Sequence, residues 1–295
     1  MIYGLPHLNM TCLMSKSWNW RPCIFRSKHM SLNAQIKSQL KSTLENSSEA
    51  PAQLNSALRL MSKWRSVLIQ NTFLKHQGTV VMQGPLAGMD FLPQSAEGCH
   101  VAKLLGCYEQ PLQPFIEEAI QAAYPIILNI GCAEGYYAVG MARRMKNSKV
   151  HAFDLNLKAQ EICTALADKN KVSDRVSVGA LFRPEDFRLH EQQKVLVLCD
   201  IEGGERELLN PEKSPSLKTM DLIVESHECL SPGITQTLID RFKDTHQITY
   251  IEDNGQRQLL DAPQWFKNLA HLDQLLATWE WRSGATPWLV MKSRT

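Results

Sequence analysis

The stretch IILNIGCAEGYYAVGMARRM, residues 126–145, decides how the rest of the chain is read. It begins with an apolar run short enough for a buried strand, passes through a turn of small residues (131–135), and enters a helix-like segment at the paired tyrosines. Outward from it the same alternation continues. KVHAFDLN is a second strand and LKAQEICTALADKNK a second helix, RVSVGAL a third strand, KVLVLCDIEGGE a fourth and MDLIVESHE a fifth. PGITQTLIDRFKD reads as a helix, HQITYIED as a sixth strand and PWLVMKSR as a seventh. Short, wholly apolar strands alternating with helices imply an α/β fold: a doubly wound, mostly parallel sheet covered on both faces. Ligands of such sheets sit outside the C-terminal strand ends, at the point where strand order reverses. The residues that follow each strand therefore carry the functional information.

After the first strand come Gly131, Cys132, Ala133, Glu134 and Gly135. A dinucleotide turn asks for G-x-G-x-x-G. Counted from Gly131, its second and third glycines are Ala133 and Tyr136, and a tyrosine suits the close helix–strand position poorly. S-adenosylmethionine (SAM) carries no pyrophosphate and asks for acid-x-G-x-G-x-G. The chain offers Asn129, Gly131, Ala133 and Gly135 at that spacing, with an amide in place of the acid. The competing reading is a plain packing turn between strand and helix. Asp154 closes the second strand in the range expected of a carboxylate that accepts ribose hydroxyls, roughly 20 residues on. Gly179 and Ala180, after the third strand, would border an adenine. These seven residues are the expected cofactor set.

The fourth strand delivers Asp200, Glu202 and Glu205 to the mouth of the sheet, and the fifth delivers Glu225, His227 and Glu228. Transfer of a methyl group to oxygen or nitrogen is an in-line displacement, so the protein chiefly aligns the acceptor. A hydroxyl acceptor also needs a base, which His or a carboxylate supplies near neutral pH. Asp200 and His227 are the expected catalytic pair. Glu205 and Glu228 read as helix-starting acids. Oxygens of this cluster could take a hard divalent cation, but no metal ligand is assigned.

Together ILNIGCAEGYYAVGMA, VHAFDLN, VLVLCDIEGGERELL and LIVESHE resemble the FkbM-like branch of class I SAM-dependent methyltransferases, over roughly residues 105–250. The D-x-E-G-x-E stretch that marks that branch is matched by Asp200, Glu202, Gly203 and Glu205. The resemblance implies a class I methyltransferase sheet of seven strands with the last one antiparallel, SAM as cofactor, and O-methylation of a small-molecule or glycan hydroxyl. It also adds Tyr108 and Glu109, in KLLGCYE, as outlying site candidates. Two alternatives stand beside it: a nicotinamide-dependent oxidoreductase, and a catalytically inactive SAM-binding scaffold protein.

Composition narrows the rest. With 32 basic and 30 acidic residues in 295, net charge is +2, which gives no basic excess for a nucleic-acid partner. No apolar run is long enough to cross a membrane. The eight cysteines include no CxxC pair and read as reduced thiols, which suggests a cytoplasmic setting. Residues 1–29 hold no acid and form no clean amphipathic helix, so they read as a disordered or non-native extension. Residues 30–115 read as an α+β cap: a helix over 52–75, then two short strands about a turn at Gly84 and Pro85. The domain of interest would span 116–295, its Trp265, Trp279 and Trp281 walling an acceptor pocket. Oligomeric state is not legible.

Overall fold

The computed structural model describes residues 31–45, 50–93, 99–282, 284 and 286–295, and the expected extension 1–29 lies outside them. The chain divides into two compact units between Trp64 and Arg65. In the first, α1 (Leu32–Glu45) is followed by the start of α2 (Ala50–Gln77), within which the division falls. The Trp64 indole donates to Asn33 at 3.0 Å and the Gln53 amide donates to the Leu44 carbonyl at 3.0 Å, tying the two helices together.

The second unit holds the sheet. Its elements are α3 (His100–Leu105), α4 (Gln113–Ala122), β1 (Ile126–Ile130), α5 (Tyr136–Arg144), β2 (Lys149–Phe153), α6 (Leu157–Lys169), β3 (Val176–Gly179) and β4 (Val195–Cys199). They continue with α7 (Glu205–Leu208), β5 (Asp221–Glu225), α8 (Ile234–Phe242), β6 (His246–Ile251), α9 (Gln264–Lys267), α10 (His271–Thr278) and β7 (Trp288–Ser293). Strand order is β3-β2-β1-β4-β5-β7-β6, with β7 antiparallel to both neighbours and the other pairings parallel. This is the class I methyltransferase sheet. The chain runs outward from β1 to β3 and returns to lay β4 against β1, so the reversal of order opens beside residues 130 and 199.

Side chains alternate across the strands, as the pleat requires. Ile127, Leu196 and Leu198 enter one core with Phe73, Phe91, Leu104 and Met141. Leu128, Val197 and Cys199 enter the other with Phe187, Leu222 and Phe242. Residues 65–115, most of the expected cap, supply much of the first of these cores and belong to the same compact unit as the sheet. The two strands expected there shrink to one antiparallel bridge, Val80 with Asp90, around the Gly84 turn. Among the described cysteines none is paired, and no described helix is long and apolar enough to cross a membrane.

The turn after β1 is the tightest packing point of the unit. A Cβ on Gly131 would stand 1.6 Å from the Asp200 carbonyl, and one on Gly135 would stand 2.5 Å from Cys163 Sγ. Both glycines have left-handed backbones, φ +79° and +89°. Gly135→Ala should therefore lose about 2–5 kcal/mol, from the left-handed conformation and from overpacking together. The Gly135→Ala/Cys163→Ala double variant should lose less than its two single changes combined, because the sulfur that clashes is gone. Denaturant midpoints of the three variants check this, and strict additivity would contradict it.

Candidate active site

The turn closes on itself through its amides. Gly131 and Cys132 N–H both donate to the Phe153 carbonyl, at 2.8 and 2.9 Å. Ala133 N–H donates to Asp154 Oδ2 at 2.8 Å, and Gly135 N–H to the Cys132 carbonyl at 2.8 Å. Ala133, standing where a glycine is usual, is left-handed at φ +44°. The other oxygen of Asp154 accepts Asn156 N–H at 2.8 Å at the start of α6. Asp154 thus binds the end of β2 to the turn while remaining partly exposed.

Within the turn Glu134 is wholly buried and paired with the enclosed ammonium of Lys103 from α3, and both line the hollow in front of the turn. Lys103 also stands 4.8 Å above the Tyr108 ring. Loss of either partner would strand a buried charge, which typically costs about 3–5 kcal/mol. A hollow of about 30 Å³ lies in front of the turn, lined by Asn129, Gly131, Ala133, Tyr108, Asp200 and Trp288 among others. That is room for about one water molecule. Asn129 is 2% exposed, and its carbonyl oxygen has no hydrogen-bond partner.

On the far wall β4 and β5 end in carboxylates. His227 is buried, its Nε2 3.4 Å from Asp200 Oδ1 and 3.8 Å from Glu202 Oε2. Its Nδ1 lies 2.9 Å from Glu205 Oε1. Burial works to lower the imidazole, but its hydrogen bond to Glu205 and the charges of Glu225, Glu205 and Glu202 outweigh it and hold His227 above its ordinary value. Asp200 is pushed well above the usual carboxylate range by burial and by Glu225, Glu109 and Glu202. Two guanidiniums are set among these acids. Arg282 pairs with Glu109 at 2.6 Å, Glu280 at 3.0 Å, Asp253 at 3.1 Å, and Glu225, and Arg257 shares Glu280 at 2.5 Å and Asp253 at 3.0 Å. Two cations cannot neutralise four carboxylates, so the cluster keeps a negative balance.

Of the expected residues, Asn129, Gly131, Ala133 and Asp200 share the hollow, Gly135 and Asp154 brace the turn from behind, and His227 contacts Asp200. Gly179 and Ala180 stand apart from the hollow. Gly179 lacks a side chain because a Cβ would meet the Phe153 ring at 2.8 Å, and Ala180 is exposed. Trp265 packs edge-on against Phe73 and stacks on His76, and neither it, Trp279 nor Trp281 lines the hollow. Trp288, at the start of β7, does so instead. Lys103 and Glu134 were not expected; the signal was a charged residue inside an otherwise apolar helix and an acid inside a buried turn. Glu205 starts α7 as expected but is buried.

No protein-family model and no curated protein matches the chain. Among solved structures it is similar to the O-methyltransferase TomG of Streptomyces achromogenes in complex with SAM. Identity there is 14%, covering 77% of this chain and 96% of that one, with a TM-score of 0.45. It is also similar to an O-methyltransferase from Bacillus cereus in complex with SAH, at 13% identity, 88% and 100% coverage, and a TM-score of 0.43. At that level of identity no activity carries across from them to this chain.

The acid excess has a measurable consequence. Burial and the neighbouring Glu225 push the Glu109 carboxyl up to about 7, against 4.5 ordinarily. A carboxyl raised on folding favours the folded state fully below its unfolded value, and that contribution is lost as pH rises through the folded value. Relative to the wild-type protein, Glu109→Gln should therefore gain stability as pH rises from about 5 to about 8. Thermal melts of both proteins across that range check it, and a constant difference would contradict it.

Proposed function

We propose that this chain is a SAM-dependent methyltransferase of the FkbM-like kind that methylates a hydroxyl oxygen of a small molecule or glycan. The observation that carries the reading is the use of the turn's amides. A pyrophosphate needs free N–H donors at the glycine turn. Here the amides of Gly131, Cys132, Ala133 and Gly135 are all spent on protein oxygens. What lines the hollow is different: an unpartnered acceptor on Asn129, the carboxylate of Asp200 with Glu225 and Glu109 near it, and the Lys103–Glu134 ion pair, whose charges offset one another. Such a site suits a cation, and SAM presents both an ammonium and a sulfonium. The same argument disfavours the nicotinamide alternative.

Asn129 would hold the ammonium through its free carbonyl oxygen, and Asp154, with lone pairs to spare, would hold the ribose. The hollow is smaller than the cofactor, so binding entails rearrangement of its lining. When bound, SAM supplies a methyl group activated by positive sulfur. The chain's own residues do the rest: Asp200 orients the acceptor hydroxyl, and His227 Nε2, beside it, takes the proton. Since His227 is held above its ordinary value, turnover should fall on the acid side of that raised value, where the base is already protonated.

Calorimetric titration with S-adenosylhomocysteine, and with NAD in parallel, tests the reading. Binding of the first and silence toward the second is expected. Asn129→Leu should weaken that binding by about ten- to a hundredfold, the value of a hydrogen bond to a charged group. Binding of NAD alone would overturn the proposal. Silence toward both would overturn it as well, together with the SAM-binding scaffold alternative.

A further inference from the structure

Glu205 is the first residue of α7 and is completely buried, although a carboxylate that merely complements a helix start works from solvent. Burying it is costly unless its oxygens are used. Oε1 accepts Ile201 N–H at 3.0 Å and meets His227 Nδ1 at 2.9 Å, while Oε2 has no partner. An oxygen already accepting from a backbone amide is an acceptor toward the imidazole too, so Nδ1 carries the proton. In the neutral ring the lone pair then lies on Nε2. That nitrogen faces Asp200 Oδ1 at 3.4 Å and Glu202 Oε2 at 3.8 Å, toward the mouth of the site.

We propose that Glu205 is a positioning residue, which locks His227 in the Nδ1–H tautomer and so presents a basic Nε2 beside Asp200 to the acceptor hydroxyl. This use of the tautomer rests on the methyltransferase reading; the hydrogen-bond geometry does not. The hydroxyl proton goes to Nε2 while its oxygen takes the methyl group, and the electron pair of the broken carbon–sulfur bond stays on sulfur. Glu205 Oε1 accepts from Nδ1–H and stabilises the imidazolium formed, as an orienting carboxylate does for a catalytic histidine. The other charged groups around His227 are Asp200 and Glu202 from the segment after β4 and Glu225 from β5, the last paired with Arg282. None of these is hydrogen-bonded to Nδ1, so the tautomer depends on Glu205.

Long-range proton–nitrogen NMR spectra of protein labelled in its histidines read the tautomer directly, with His227→Gln identifying the signal. In the wild-type protein, at a pH where the ring is neutral, the proton is expected on Nδ1. Glu205→Gln keeps an acceptor oxygen and should keep that tautomer. Glu205→Leu removes the acceptor and should move the proton to Nε2. A wild-type ring protonated at Nε2 overturns the proposal, as does a folded Glu205→Leu protein that stays protonated at Nδ1. If Glu205→Leu fails to fold, the wild-type and Glu205→Gln spectra decide. S-adenosylhomocysteine binding by the same samples reports separately on the methyltransferase reading: its absence would end that reading and leave the tautomer result standing.

Discussion

The structure turns on one carbonyl. Phe153, the last residue of β2, accepts two successive amides from the turn after β1, and Asp154, the next residue, accepts a third. That arrangement pulls the turn toward β2 while Gly131 lies flat against the backbone of Asp200 on the other side. Three strand ends, β1, β2 and β4, are thereby held at one point. The hollow, the orphan acceptor of Asn129 and the position of Asp200 follow from it. So does the chemistry the site can support, since the four amides that close the turn are not open to an anion.

Electrostatics extend the same logic across the crevice. The carboxylates of Glu109 and Glu225 are buried with Arg282 as shared counterion, and Asp200 stands beside them. Buried like charges raise one another, and Glu109 and Asp200 are both held above the usual carboxylate range. A cationic ligand would relieve that repulsion, and a diphosphate would add to it. Lys103 and Glu134 form a buried ion pair that also lines the hollow.

The sheet was legible because each strand is short, apolar and followed by a turn or helix signal, which leaves little freedom in the assignment. The residues at the strand ends, Asn129, Asp154, Asp200 and His227, could be singled out for the same reason. The purpose of the glycines was not legible. Space for a ligand and space for another strand's backbone demand the same residue, and at Gly131 and Gly135 the neighbour proves to be Asp200 or Cys163. Long-range partners were equally hidden: nothing local tells that Lys103 will meet Glu134 or that Arg282 will collect acids from four segments. Glu205 misled through its position, since an acid at a helix start is ordinarily solvated. The tryptophans of 253–286 misled through composition, because an aromatic ring fills a core as readily as it walls a pocket.

The central claim is that the turn is complete without a ligand, and amide hydrogen exchange tests it most directly. In the ligand-free protein the amides of Gly131, Cys132 and Ala133 should exchange slowly, at rates comparable to those of β1. Adding S-adenosylhomocysteine should leave those rates nearly unchanged. Fast exchange in the free protein, with protection arising only on addition of ligand, would show that the donors are open and contradict the account.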